Sequence, residues 1–445
     1  MRPTVPAYDG TFGVREAERL LWRAGFGPRP GQAERLAAMG LKAAVRSLTH
    51  PTGGDARMDG PQPRIPGGRL DPDATWGHDH LWWLDRMVRS RSSLVERLTL
   101  VFHDWFATSR AGVGRGPLMR AQNQLFRKHC LGSFATMLRA VTEDPAMQVW
   151  LSAVGSRRDA VNENYARELM ELFTLGAERG AYSEADVRGL ARTMSGFSAR
   201  YREGPGWIGF GFNRGGAWDP GAKSVFGRTG RFDYRDGCRL VLEHPLHASF
   251  FVGKLWSYFV PVPPSRQTRA ALEALYVSSG HEIRPVVEAI LTSPELYGGP
   301  LMIKPPVVYT AGLLRATGQG IDTDRWTWMN AQAGQQLFYP PDVSGWDDEH
   351  WLDTSSVAAR WAVVNQAMEG RTIKPSGDYP SESASEAVAK ARAFWNDPPL
   401  TTETLSVLKA WSADALAGKD DGYRRAQRQT ALRMLVGVCP DNQVS

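Results

Sequence analysis

The stretch Asn162-Glu-Asn-Tyr-Ala-Arg-Glu-Leu-Met-Glu-Leu-Phe-Thr-Leu-Gly176 gathers residue types that can do chemistry. At about 100° per residue, Asn164, Arg167, Glu168, Glu171 and Leu175 share one face of a helix, and Tyr165, Leu169, Leu172 and Phe173 share the other. Gly176 suits a C-cap. Two carboxylates one turn apart, beside an amide and a guanidinium, can ligate a hard cation such as a divalent metal, or divide acid and base roles. The same residues also fit a solvated face, because Glu163–Arg167 and Arg167–Glu171 are i,i+4 pairs worth only about 0.2–0.5 kcal/mol each.

Further candidates lie far away in the chain. His103, between Phe102 and Asp104, reads either as a core histidine satisfied by Asp104 or a backbone carbonyl, or as a site residue. The segment Pro340-Pro-Asp-Val-Ser-Gly-Trp346 has two prolines to stiffen its entry and Gly345 to allow close backbone approach. The expectation is that Glu168, Glu171 and Arg167 carry the chemistry. Asn164, His103, Asp342, Trp346 and Arg360 are expected to bind substrate, with Arg360 or Arg167 taking an anion. Asn164, Arg167, Glu168 and Glu171 would then line a pocket with His103 and the Asp342–Trp346 loop. His78 and His80, spaced i,i+2, do not share a helical face and read as a loop or helix start. Of the 16 Trp, Trp207, Trp218, Trp346 and Trp351 fall in loop-like sequence, where flat rings can stack on sugars or anchor loops to a core.

These residues must be positioned by a helical scaffold. Apolar residues recur at helical spacing over 14–24, 31–39, 76–106 (two helices broken near Ser90–Ser93), 116–130, 133–142, 159–176, 183–196, 234–244, 246–259, 266–279, 282–293 and 304–317. Asp144-Pro145 and Ser293-Pro294 mark boundaries, since the residue before proline avoids the α region. Gly204–Gly230 breaks the pattern with many glycines and the alternating runs Trp207–Asn213 and Lys223–Phe226, as a β-hairpin or an irregular flap would. The expected fold class is all-α, a mainly helical globular domain with a small irregular or β-hairpin excursion near 204–230. Residues 1–369 would form the main helical domain and the polar stretch 370–385, with Pro375 and Pro380, a linker. Residues 386–445 would form a C-terminal helical appendage, with helices near 386–395, 402–417 and 421–437.

Composition excludes several classes. In 445 residues, 53 Lys and Arg against 47 Asp and Glu leave a net charge of +6 with no basic stripe or tail, so no nucleic-acid partner is expected. Cys130, Cys238 and Cys439 are far apart and form no CxxC pair, which sets aside a disulfide framework and a cysteine-rich zinc site. No apolar run approaches the roughly 20 residues of a membrane span. The N-terminus has no apolar signal region, so the chain as given reads as soluble and cytoplasmic, with export alongside a partner as the other route. Met194-Ser-Gly-Phe-Ser198 is not a G-x-S-x-G elbow, and no phosphate-binding glycine motif is present.

Other segments join the first in a fixed order: Leu21-Trp-Arg-Ala-Gly-Phe-Gly27, Trp82-Trp-Leu-Asp-Arg-Met87, Phe102-His-Asp-Trp-Phe-Ala-Thr-Ser109, Asp144-Pro-Ala-Met147 and Tyr182-Ser-Glu-Ala-Asp-Val-Arg188. Lys254-Leu-Trp256, Ser293-Pro-Glu295, Lys304-Pro305, Pro340–Trp346 and Trp351-Leu-Asp-Thr354 complete the set. Together they resemble the bacterial domain-of-unknown-function 1800 family along almost the whole chain. The resemblance implies a helical fold and, as a partner, a sulfatase- or phosphatase-like protein encoded nearby. It also implies export in many relatives, at odds with this N-terminus. Where many relatives read Phe-Trp-His-x-His-Phe, this chain has Val101-Phe-His-Asp-Trp-Phe106, so Trp105 replaces the second histidine. Where many read His-Asp before Gly-x-Lys, it has Trp218-Asp219. If those histidines hold a metal in relatives, that site is weakened here.

Two functions follow as expectations. One is a hydrolase or lyase acting on a polar or glycan-type substrate through the carboxylate, Arg and Asn residues. The other is a non-catalytic binding or maturation partner of the sulfatase- or phosphatase-like protein, with the polar motif as a buried network that fixes helix packing.

Overall fold

The computed structural model describes residues 4–52, 57–201, 208–212 and 215–445, with the backbone alone for 199–201 and 208–210. Among the described residues, 22 α-helices are joined by loops and accompanied by two short antiparallel hairpins, which is the mainly helical fold expected. The chain clusters into two compact units. One comprises Val95–Leu296, Phe338–Trp346 and the N-terminal stretch to Tyr8; the other comprises Asp9–Leu94, Tyr297–Leu337 and Asp347–Ser445. No described helix is long and apolar enough to cross a membrane.

In the first unit the local rules are plain. Ser133 caps Phe134–Glu143 through Thr136 N, and Asp144 caps Pro145–Trp150 through Met147 N, with proline at the first helical position. Ser183 and Asp186 form a reciprocal capping box that starts Glu184–Met194. That helix buries Val187, Leu190 and Ala191, and Gly189 leaves room for a strand to lie across it: a Cβ there would sit 2.1 Å from the Ser224 carbonyl oxygen. The strand is Lys223–Val225, paired with Arg228–Gly230. Phe226 and Gly227 between them both have positive φ, as a two-residue hairpin turn requires. The second hairpin, Phe197–Tyr201 with Ile208–Phe212, begins upstream of the expected 204–230 excursion. Trp207 lies outside the described residues. Trp105, Phe106, Phe126, Phe134, Phe173 and Phe251 form the aromatic core of the unit.

The second unit is built around Pro306–Ala316, which is buried on every side from Pro306 to Arg315, as an all-round apolar helix should be. It packs against His78–Arg89 and Thr354–Ala367. The helices Leu41–Thr49, Arg325–Gln332 and Thr354–Ala367 were not among the expected ones. The last buries Ser356, Ala359, Arg360, Val363, Val364 and Gln366 around much of its circumference, so its sequence carries no one-sided stripe. His78 is the first residue of its helix, and His80 is buried with its Nδ1 accepting from Leu337 N at 3.0 Å. Within 370–385, Ile373 N donates to Thr430 Oγ1 at 3.1 Å, and Glu382 pairs with Arg428 at 3.3 Å with both side chains almost wholly buried. The helices beyond it belong to the same compact unit as Asp9–Leu94.

Candidate functional site

The signature helix starts at Asn164, five residues later than expected, and then departs from α geometry. Asn164–Glu168 is α-helical, but Leu169–Thr174 is a π-helix, closed by Leu175 N donating to Met170 O at 2.8 Å. An i→i+5 turn takes in one extra residue, so the 100° rule fails beyond Glu168. Leu175, expected on the polar face, is fully buried, and Leu172, expected on the apolar face, is only half-buried. The segment 159–163 is not helical. Gly176 follows at φ +90°, as a helix-ending glycine does.

The last turn of a helix leaves its carbonyls without intrahelical partners, and three side chains meet them here. Trp105 Nε1 donates to Phe173 O at 3.0 Å, Lys254 Nζ to Leu172 O at 3.0 Å, and His247 Nδ1 meets Thr174 O at 3.0 Å. Thr174 Oγ1 also donates to Leu169 O at 2.5 Å. Trp105 thus ties the end of the signature helix to the aromatic core.

Ahead of the π-turn the polar residues form one cluster. Arg167 makes a bidentate pair with Glu184, both contacts 2.8 Å, and lies 3.5 Å from Glu163. These bonds raise its pKa further above the ordinary guanidinium range. Glu171 accepts from Tyr182 Oη at 3.3 Å; burial, then the Glu171 charge, push that phenol up to about 12. Glu168 is half-buried, and its pKa is raised by desolvation first and by Glu171 second, against Arg167. Among the described residues the Glu168 carboxylate has no hydrogen-bond or ion-pair partner. Asn164 is exposed, its backbone N–H donating to Asn162 Oδ1 at 2.9 Å.

The second part of the expected site is a separate cluster in the same unit. His103 is fully buried among the rings of Phe126, Phe338 and Trp346, 5.5–6.1 Å between centroids, and burial pushes its pKa down to about 3. It is a neutral core residue at physiological pH. Beside it, Asp104 accepts from Tyr258 Oη at 2.7 Å and from Trp346 N at 2.8 Å. Gly345 permits this approach: at φ +107° a Cβ would lie 2.4 Å from Asp104 Oδ1. Lys254, near enough to Asp104 to feel its charge, has its pKa lowered by burial to about 8. Asp104, Lys254 and Tyr258 were not named as site residues. Two of them stood in quoted motifs, Asp104 beside His103 and Lys254 ahead of Trp256, and their pairing across 150 residues had no sequence signal.

Other expected members lie elsewhere. Asp342 is exposed and accepts from Ser344 N and Oγ at 2.8 and 2.5 Å. Arg360 belongs to the second unit, where it is buried and donates to the Trp351 and Lys304 carbonyls at 3.0 and 2.8 Å and to Gln443 Oε1 at 3.2 Å. Its donors serve the fold and leave no face to an anion from solvent. Trp218, Trp346 and Trp351 are each less than a tenth exposed and anchor their loops. Lys223 sits 4.5 Å from the Trp218 ring centre and donates to Asp219 O. Among the described residues no three His, Cys, Asp or Glu side chains group as a metal site would need. Cys130, Cys238 and Cys439 are all buried.

A family model described as "Protein of unknown function (DUF1800)" matches residues 19–441. No curated protein and no solved structure matches the chain.

Proposed function

We propose the following reading for a chain that belongs to the DUF1800 family: it is a hydrolase or lyase for a polar, glycan-type substrate, with its acid–base pair on the signature helix. The observation that carries this is Glu168, a half-buried carboxyl held above the ordinary carboxylate range and without a hydrogen-bond or ion-pair partner among the described residues, one turn from Glu171. Two carboxyls in unlike settings divide acid and base roles. Glu168 would give its proton to the leaving oxygen as the C–O bond breaks. Glu171, hydrogen-bonded by Tyr182, would take a proton from the water that adds in hydrolysis, or from carbon in elimination. Arg167, clamped by Glu184, holds positive charge beside both, and Asn164 offers an exposed amide to the substrate.

The test is a panel of soluble polysaccharides, read for new reducing ends and for the ultraviolet absorbance of an unsaturated product. Glu168→Gln is expected to cut the rate by about 10²–10⁴-fold with no loss of melting temperature. Wild-type turnover in both Glu168→Gln and Glu171→Gln, or no cleavage of any polysaccharide by the wild type, would count against it.

A second reading, a binding or maturation partner for a sulfatase- or phosphatase-like protein, draws support from exposed apolar side chains on two helices of the second unit that pack together. Trp328 on Arg325–Gln332 is 50% exposed, and Val357 and Trp361, one turn apart on Thr354–Ala367, are 38% and 47% exposed. Exposed aromatic clusters mark partner surfaces. Loss of co-purification in the Trp328→Ser/Trp361→Ser variant, with turnover intact, would separate this surface from the acid–base pair.

A further inference from the structure

Two motifs with no part in the acid–base proposal meet in the second unit. Trp22 of Leu21–Gly27 lies against Lys304 of Lys304-Pro305, the Lys304 Nζ 3.7 Å from the ring centre. The indole is clamped by glycine backbone: a Cβ at Gly27 or Gly312 would come within 2.7 or 2.2 Å of it. Lys304 is buried, and its ammonium donates to Asn442 O at 2.9 Å. Both residues line a cavity of about 590 Å³, within the roughly 300–1,000 Å³ typical of small-molecule sites.

The charges in that cavity are unequally satisfied. Arg19 spends its guanidinium on the carbonyls of Tyr297, Gly299 and Pro300, and Asp441 accepts from Thr401 N and Oγ1 at 2.7 and 3.0 Å. Among the described residues, Arg15 and Glu18 have no hydrogen-bond or ion-pair partner. Arg392 reaches the Pro398 carbonyl only, at 3.2 and 3.4 Å. Leu301, Leu400 and Val444 supply an apolar wall beside Trp22.

We infer that this cavity binds a small amphipathic carboxylate, its anionic head between Arg15, Arg392 and the Glu18 carboxyl and its apolar body against Trp22, Leu301 and Leu400. A monoanion suits the site better than a phosphate dianion, because Glu403 and Asp441 also line it and like charges repel. The site also responds to pH. Burial, then Glu34 and Asp397, push Glu18 up to about 7 against Lys304 and Arg392, so below that pH it is a protonated donor to the ligand. Burial, with Arg360, pushes Lys304 down to about 7 against Cys439 and Glu18. Raising the pH through about 7 therefore ionises Glu18 and discharges Lys304, and both changes weaken anion binding.

Calorimetric titration of the full chain with octanoate, octylammonium and octyl glucoside tests this. Octanoate is expected to saturate at pH 6, about tenfold tighter than either control and about tenfold tighter than at pH 8. Glu18→Gln should retain more of the affinity at pH 8, and Arg15→Gln, at an exposed position, should weaken binding several-fold while the fold is kept. No saturable octanoate binding at pH 6, equal affinity at both pH values, or wild-type affinity in Arg15→Gln/Arg392→Gln would overturn the inference.

Discussion

Two arginine–glutamate pairs in the first unit share one geometry and differ in surroundings. Arg127 and Glu96 form a bidentate pair at 2.7 and 2.8 Å with both side chains almost wholly buried. Arg167 and Glu184 form an equally short bidentate pair at 2.8 Å, with the arginine about one-third and the glutamate 61% exposed. In the buried pair each charge depends on the other, because neither can be hydrated if its partner is lost. In the exposed pair water stands in for either partner, so short contacts add little to stability. The exposed pair can therefore lose a charge at little cost to stability, while the interior pair is committed to the fold.

Breaking the buried pair has the largest expected effect. Glu96→Gln leaves the Arg127 guanidinium in the core without its counter-charge and should cost about 3–5 kcal/mol, measured by denaturant unfolding. A loss under about 1 kcal/mol would show that water reaches this arginine, and the contrast would fall. Next comes the contact that joins core to signature helix: Trp105→Phe removes the donor to Phe173 O and should cost about 1–3 kcal/mol through the unsatisfied carbonyl. Amide exchange should accelerate first across Leu169–Thr174; unchanged protection there would detach Trp105 from the π-turn.

The smallest effects sharpen the comparison from its exposed side. Glu184→Gln should leave the melting temperature at the wild-type value while loosening Arg167, seen as faster exchange of its side-chain N–H signals. For Glu168 the pH dependence carries the information. Its folded-state pKa is raised, so the folded chain keeps the proton to higher pH than the unfolded chain. The associated stability is fully present below the ordinary carboxylate pKa and lost as pH rises through the folded one. Glu168→Gln should flatten the fall in melting temperature between acid and neutral pH; a profile parallel to wild type would mean that the carboxyl is solvated and unperturbed.

Much of the site's local framework was legible. The boundary at Asp144-Pro145 and the helix-ending glycine at 176 act within a few residues, so their types declare them. Gly345 was read as a point of close approach, and Asp104 is what approaches it. His103 was left between core and site, and its burial among three rings decides for core. Arg360 was misplaced, because a guanidinium that caps buried carbonyls and one that waits for an anion look alike in sequence.

What the sequence determined by itself is the helical class and most helix spans, because amphipathic period and capping chemistry are local properties of the chain. Only the tertiary structure decided three further things. The signature helix widens into a π-turn, and Trp105, Lys254 and His247, distant in sequence, meet the carbonyls of its last turn. Among many similar charges, it chose which are buried: Glu96 with Arg127 inside, Glu184 with Arg167 outside. And it brought Glu18 and Lys304, nearly 290 residues apart, into one cavity where each shifts the other's proton affinity. Burial and desolvation depend on every neighbour at once, and no window of sequence contains those neighbours.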